Sequence, residues 1–551
     1  MTIVPQGLAP IFYSPVFWAV ISGLLCALGL QPWGLIPSFV AGYSILLYLV
    51  FHAKTPLKAF CYGWLHGFTF HCIGLYWISN ALLVDFNAFW WALPFSFFGL
   101  PIVLAFFNAV AAWIAAAFAP PAHLARFLAF VALSGAMDYV RGVVFTGFPW
   151  NLAGSIWIDI DNVAQFSSVA GLYGLSALTY VWAALPITIL CLPRHYTKSY
   201  ILITCFTGIS FLWIYMAGYA HINSIPHPSE GLTKDAAPAL IHIVQPNIPQ
   251  REKWDPDHFV ENFTKHLELS YPDPEYFVSV VAQEQGATPT SRPTLIIWPE
   301  TSISYIMLNQ DSAKDAIRRV LTDIPGPTYL ATGYLDRQEI KSEQASEQNG
   351  EQSGEQREEY YNSLIVLDEN ADIIAKYDKH HLVPFGEYMP YEDRLGWLPL
   401  VQVGGFQKGA APAPIKFDDA IPSFIPSICY EIIFPRYLQK AAKTGLILNV
   451  TNDGWYGDSA GPQQHLVQAR FRAIEQSAHI IRAANTGVSA LIDPRGRIIE
   501  KIAYGNPGTI TYGYEGYDAP LNFYQKYDVI PVLIFLGLIF ALSLAARLIV
   551  K

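Results

Sequence analysis

Long apolar stretches separated by short polar turns fill the chain up to about residue 220. Seven stretches lie near the roughly 20 residues that a helix needs to cross a bilayer. They run from Ile11 to Leu30, Leu35 to Phe51, Leu57 to Leu82, Phe89 to Phe118, Leu124 to Val140, Val163 to Leu192 and Tyr200 to Tyr219. An eighth, Val529 to Val550, closes the chain. The first two are parted only by the turn signal Gln31-Pro32-Trp33-Gly34. The pattern predicts a seven-helix transmembrane domain over 1–220 and a further transmembrane helix over 529–551.

From His221 to Lys526 the pattern changes to short, fully apolar runs bounded by turn residues, with amphipathic stretches between them, which is the signature of an α/β domain. Buried strands are expected at Ala239–Val244, Thr294–Trp298, Thr328–Thr332, Ser363–Leu367, Ile373–Tyr377, Phe424–Ile428, Leu446–Val450 and Val488–Ile492. A helix is expected from Gln463 to Ala478, and a hairpin turn at Asp368–Asn370. Residues 338–359 repeat Ser-Glu-Gln and Gly-Glu-Gln units without an apolar anchor, so they cannot offset their ordering entropy and read as a solvated surface loop. The fold class is thus a multi-span α-helical membrane domain plus an α/β domain over 221–528.

Lys and Arg in short loops set the orientation, because they are retained on the cytoplasmic side. With the N-terminus inside, Lys54, Lys58, Arg126, Arg194, Lys198, Arg547 and Lys551 all fall on that side, and only Arg141 lies in a short loop opposite. Seven spans then put residues 220–528 outside the cytoplasm and return the tail inside. The first segment has no charged n-region and runs at once into another apolar segment, so it is not expected to be a cleaved signal peptide.

Composition narrows the function classes. A formal charge of -10 over 551 residues leaves no basic stripe for a nucleic acid. Cys26, Cys61, Cys72, Cys191 and Cys205 sit in apolar stretches, and Cys429 stands alone in the polar half. This gives no disulfide framework, and without CxxC spacing or a paired His motif no metal site is expected. Transport sites leave ionisable residues or broken helices inside the spans; here only Asp138 and Arg141 lie near a span's end, and no half is repeated.

Three apolar runs end in a reactive side chain: Thr294-Leu-Ile-Ile-Trp-Pro-Glu300, Ala375-Lys-Tyr-Asp-Lys379 and Pro426-Ser-Ile-Cys429-Tyr-Glu431. Open α/β sheets place their sites at strand ends. A thiol that attacks a carbonyl, a carboxylate that takes its proton and an ammonium that holds the oxyanion form a nucleophilic site that needs no cofactor.

These segments, with Tyr377-Asp-Lys379-His-His-Leu-Val-Pro-Phe-Gly-Glu387 following Trp-Pro-Glu300 and preceding Ile428-Cys429-Tyr430-Glu431, resemble the Glu-Lys-Cys triad of the carbon-nitrogen hydrolase (nitrilase) superfamily. Attachment to a multi-span segment, Val244-Gln-Pro-Asn-Ile-Pro-Gln250 through Lys253-Trp254, Arg141-Gly-Val-Val-Phe-Thr-Gly-Phe-Pro-Trp150 and Asn452-Asp-Gly-Trp-Tyr-Gly-Asp458 resemble its membrane-bound branch, the apolipoprotein N-acyltransferases. The resemblance implies a nitrilase-like αββα sandwich. It makes Glu300 the general base, Lys379 the oxyanion stabiliser and Cys429 the nucleophile. It gives Glu387, Tyr430, Glu431, Asn362 and Arg141 supporting roles and places Trp254 at the substrate entrance.

The implied reaction moves an acyl chain from a phospholipid, through a Cys429 thioester, to the amine of a diacylglyceryl-modified apolipoprotein cysteine. It would occur on the periplasmic side of a bacterial inner membrane, with both termini cytoplasmic. Tyr388, Met389, Trp397, Leu398 and Trp455 could line a lipid entrance or simply pack. A membrane-bound amidase or nitrilase-type hydrolase could use the same triad.

Overall fold

The computed structural model of the protein describes residues 14–191, 197–224, 239–253, 255–272, 293–341, 356–395, 405–417, 421–439, 444–514, 516–517 and 521–549. The first part is a bundle of α1 (Pro15–Ala27), α2 (Ile36–His52), α3 (Pro56–Gly74), α4 (Leu100–Phe118), α5 (Leu124–Val143), α6 (Ser167–Ala183) and α7 (Thr197–Ser224). Among the described residues four helices are long and apolar enough to cross a membrane: Phe95–Phe118, Ser167–Leu190, Ile201–Asn223 and Ile530–Leu548. Arg126 is buried at the start of α5. Its guanidinium donates to the carbonyls of Val50, Ala53, Ala116 and Ala119, and so satisfies the open C-terminal ends of α2 and α4.

Three expected spans differ from the helices observed. The stretch Leu57–Leu82 stops being α-helical at Gly74, whose carbonyl accepts from Trp77 Nε1 at 3.1 Å and Asn151 Nδ2 at 3.0 Å. Between Tyr76 and Gly99 the chain makes only short helical turns before α4, so Phe89–Phe118 is not one continuous α-helix. The stretch Val163–Leu192 is interrupted at Gly171, with φ +65°, where a Cβ would lie 2.5 Å from the Tyr524 ring. The next amide, Leu172 N, is capped from outside by Glu475 Oε1 at 2.7 Å.

Two sheets face each other beyond the bundle. The first runs β12 (Gly508–Tyr514), β1 (Ala239–Gln245), β2 (Thr294–Ile297), β4 (Thr328–Lys341), β5 (Gln356–Leu367), β6 (Ile373–Asp378), with β3 (Ile303–Ser304) on β4. The second runs β11 (Ile498–Ile502), β10 (Ser489–Ile492), β9 (His479–Ala484), β8 (Leu446–Thr451), β7 (Ile425–Ile428).

Strand alternation sends one set of side chains inward, so Ile241, Ile243, Leu295 and Leu364 meet Ile428, Leu448, Val450 and Ile481 between the sheets. The other set of the first sheet, including Ile296, Leu330 and Ile365, packs on α8 (Phe259–Leu269) and α9 (Asp311–Asp323). That of the second packs on α10 (Ala460–Gln476). The layers are therefore αββα. Every residue of α10 except Gln463 and Arg470 is buried, because its far side (Val467, Phe471, Ile474) enters the core of the bundle. The chain ends in α11 (Ile530–Ile549), packed on α5.

The solvated loop expected over 338–359 is narrower than that. Residues 338–341 and 356–359 extend β4 and β5 as an antiparallel ladder from Leu330↔Leu367 to Lys341↔Gln356. Backbone pairing carries this arm where side-chain hydrophobicity gives no signal. Strands β3, β9, β11 and β12 were not expected. In β9 the buried Arg482 interrupts the apolar run, so the segment after the expected helix gives no strand signal; Ser477, with φ +45°, is what ends the helix.

Candidate active site

Glu300, Lys379 and Cys429 follow the C-terminal ends of β2, β6 and β7, on strands of the two facing sheets. All three are buried, with 5%, 1% and 6% of their surfaces exposed. Lys379 Nζ lies 2.7 Å from Glu387 Oε1 and 3.6 Å from Glu300 Oε1. Asn362 Nδ2 donates to both carboxylates, at 2.8 Å to Glu300 Oε1 and 3.0 Å to Glu387 Oε1, while Glu387 Oε2 accepts from Val383 N at 2.7 Å. Glu300 Oε2 is buried and has no hydrogen-bond partner among the described residues.

The thiol and the ammonium are tuned in opposite ways. Burial pushes the Cys429 thiol up to about 12; Glu300 adds to the shift and Lys379 opposes it. The resting group is therefore a thiol, and a base must take its proton before it can attack. Burial works against the Lys379 charge, but Glu387 and Glu300 beside it hold the ammonium well above its ordinary value. It is a fixed cation throughout the neutral range.

The local backbone explains how these groups are held. Cys429 opens a short 3-10 turn at the end of β7 with φ +49°, a strained conformation for a residue with a side chain. Glu431 ties that turn to the lysine loop. Its Oε2 accepts from Ile428 N at 2.8 Å, and its Oε1 from His380 N, His381 N and the Tyr377 hydroxyl at 2.8, 3.0 and 2.7 Å. Burial raises the Glu431 carboxyl and these donors pull it back, so Glu431 is a brace between two loops and is not free for proton transfer.

On the other side, His465 Nε2 meets the Cys429 carbonyl at 3.2 Å, and His465 Nδ1 meets Asp453 Oδ1 at 2.8 Å. Arg482 donates to Asp453 Oδ2 at 2.7 Å. Against the cost of burial, Arg482 and His465 hold the Asp453 carboxyl below the usual range.

The turn that carries Glu300 leaves β2 through Pro299 and passes Thr301 at φ +49°. It lies so close to β4 that a Cβ on Gly333 would sit 2.2 Å from Thr301 N and 2.5 Å from both Glu300 Cα and Pro299 O. Gly333→Ala must move Glu300. Since displacement of a reacting group by about 1 Å can cost roughly 10²-fold, activity is expected to fall about that far; a variant at the wild-type rate would show that Glu300 needs no such seat.

The other residues singled out from sequence divide. Asn362 and Glu387 join the cluster. Tyr430 packs on Phe434 and His381 and points its hydroxyl toward Gly147 O of the bundle, 3.5 Å away, so it bridges the two parts. Arg141 is buried at the end of α5, where it pairs with Asp138 and donates to Phe148 O and Trp150 O at 3.1 and 2.6 Å. It orders the bundle loop.

Trp254, Trp397 and Leu398 lie outside the described residues. Tyr388, Met389 and Trp455 are half-buried, with the exposed Phe385 and Tyr391 near them in the chain. Sequence reasoning missed Lys253, whose Nζ donates to Glu300 O at 2.7 Å, and His465, Asp453 and Gln464. Gln464 Oε1 accepts from two bundle tryptophans, Trp77 and Trp150, at 3.1 and 2.9 Å. A polar pair inside an otherwise helical run was the only signal for Gln464 and His465. Among the described residues no group of three or more His, Cys, Asp or Glu side chains could hold a metal ion.

Comparison with known proteins places this geometry in context. A carbon-nitrogen hydrolase family model matches residues 240–513, and a model of the apolipoprotein N-acyltransferase N-terminal domain matches residues 22–185. The chain is similar to the apolipoprotein N-acyltransferase of Allorhizobium ampelinum, at 35% identity over 512 residues, covering 89% of this chain and 88% of that one. It is also similar to those of Rhodopseudomonas palustris (32% over 540 residues, 96% and 94%) and Agrobacterium fabrum (32% over 558 residues, 97% and 97%). Among solved structures, a nitrilase-superfamily amidase from Nesterenkonia AN1 aligns at 17% identity over 55% of this chain and 99% of that one, with a TM-score of 0.33.

Proposed function

This chain belongs to the apolipoprotein N-acyltransferase family, and on that premise we propose that Cys429 carries an acyl group from a phospholipid to the α-amine of a diacylglyceryl-modified cysteine on an apolipoprotein. The enzyme is an acyltransferase. The observation that carries the residue assignment is the convergence at strand ends of the buried Cys429 thiol, the Lys379 ammonium and the Glu300 carboxylate, whose Oε2 has no hydrogen-bond partner among the described residues.

In the first half, Glu300 takes the Cys429 proton and the sulfur attacks the ester carbon. Lys379 stabilises the oxyanion, and the departing lysophospholipid alkoxide takes the proton back from Glu300. In the second, the neutral amine attacks the thioester and gives its proton to Glu300, and the released thiolate recovers it. Ester and amine become amide and alcohol, with no cofactor.

Membrane attachment serves the donor, because drawing an acyl chain into water costs about 0.8 kcal/mol per methylene. We place the catalytic domain, residues 221–528, in the periplasm of a bacterial inner membrane. It lies between a multi-pass domain over 1–220 and the span over 529–551, with both termini cytoplasmic; the distribution of Lys and Arg supports this orientation.

Incubation with acyl-labelled phospholipid tests the reading. A hydroxylamine-labile label on Cys429 that passes to the amine of a diacylglyceryl-cysteine peptide is expected. Equal label on Cys429→Ser would remove the nucleophile, and release of free fatty acid in place of amide would make the chain a hydrolase that uses the same triad.

A further inference from the structure

We propose that Lys253 is a positioning residue of this acyl transfer: its ammonium holds the main chain of Glu300 while Lys379 faces the carboxylate, so that the base touches two cations. The inference rests on the Glu300, Lys379 and Cys429 reading above.

Glu300 needs a partner of this kind. It lies past the end of β2, next to a proline with no N–H and before the left-handed Thr301. Its carbonyl accepts from Lys253 Nζ at 2.7 Å; without that donor a buried acceptor would be left open, and the turn could relax away from the thiol. A neutral amide would satisfy the carbonyl equally well, so the choice of a cation has a consequence of its own. Burial pushes the Lys253 ammonium down to about 8, while the Glu300 carboxylate and the Cys429 sulfur favour its charge; that charge in turn favours the stage at which negative charge sits on either.

Lys253 is itself held firmly. Its N–H donates to Pro249 O at 3.2 Å, and Asn262 Nδ2 donates to the neighbouring Glu252 O at 3.0 Å. Gln250 Oε1 accepts from Asn452 Nδ2 at 2.7 Å. Arg251 donates to Val84 O and Leu83 O, at 3.1 and 3.0 Å, in the short helical turns of the bundle. The turn thus joins the bundle directly to the base.

The test compares Lys253→Met, Lys253→Gln and Lys253→Arg in full-length protein, using single-turnover labelling of Cys429 by acyl-labelled phospholipid, with thermal denaturation as a check of folding. Met is expected to lower the maximal labelling rate about 100-fold, with the phospholipid concentration for half-maximal rate within threefold of wild type. Gln should recover only the hydrogen-bonding part, roughly tenfold below wild type, and Arg should label faster than both. Labelling of Met at the wild-type rate, or Arg no faster than Met, overturns the proposal. Wild-type protein run alongside separates the two readings: absence of label there would instead defeat the thioester assignment.

Discussion

Lys379→Met is expected to slow acyl transfer by about 10³-fold and to destabilise the fold by about 3–5 kcal/mol. The ammonium is the only cation directly paired with Glu387 and Glu300 among the described residues, at 2.7 and 3.6 Å, and all three groups are almost wholly removed from solvent. Its removal leaves two carboxylates joined only by the Asn362 amide. The rate loss is that of the proposed oxyanion partner, and the stability loss that of two carboxylates left without their counter-ion. Single-turnover labelling and thermal denaturation in detergent read them separately, and a rate within tenfold of wild type would remove Lys379 from the oxyanion role.

Asp453→Asn is the second large effect. Arg482 is fully buried and its charge is met by Asp453 Oδ2 at 2.7 Å. Asparagine keeps the shape and removes the charge, which leaves a buried guanidinium without a counter-ion at a cost of about 3–5 kcal/mol. For a domain of this size that corresponds to a fall of roughly 10 °C in the denaturation midpoint. Adding Arg482→Met should recover part of it, and an unchanged midpoint in the single variant would contradict the pairing. The pH dependence follows from the sign of the shift. A carboxyl held below its unfolded value contributes stability that is present above that value, about 4, and is lost only as pH falls through the lower folded one. Acid sensitivity between pH 5 and 7 must come from other groups.

Much of this site was legible in the linear order of residues, because the chemistry demands particular side chains at strand ends. Glu300 and Cys429 each close an apolar run of the form a buried strand takes; Lys379 instead closes β6, expected to be buried but lying at the sheet edge with Ile373 and Ile374 exposed. Asn362 and Glu387 were marked only through the family resemblance; the convergence of β5 and the loop after β6 on Lys379 shows what they touch.

What stayed hidden was carried by backbone and by distance. Gly171 interrupts an unbroken apolar run, and only the Tyr524 ring seated against it and the Glu475 cap explain why the helix breaks there. The β4–β5 arm is polar and is held by its ladder alone. Lys253 lies 47 positions before Glu300 and serves its main chain, which no pattern of residue types records.

The burial of α10 on both sides limits what can be made from this protein. Trimming the chain to its sandwich would bare Val467, Phe471 and Ile474, each worth about 1.5–3 kcal/mol when covered. It would also release the Trp77 and Trp150 grip on Gln464, whose neighbour His465 touches the Cys429 carbonyl. A water-soluble excised reagent is therefore a poor engineering goal, and the anchor is better regarded as part of the catalyst's skeleton than as a leash.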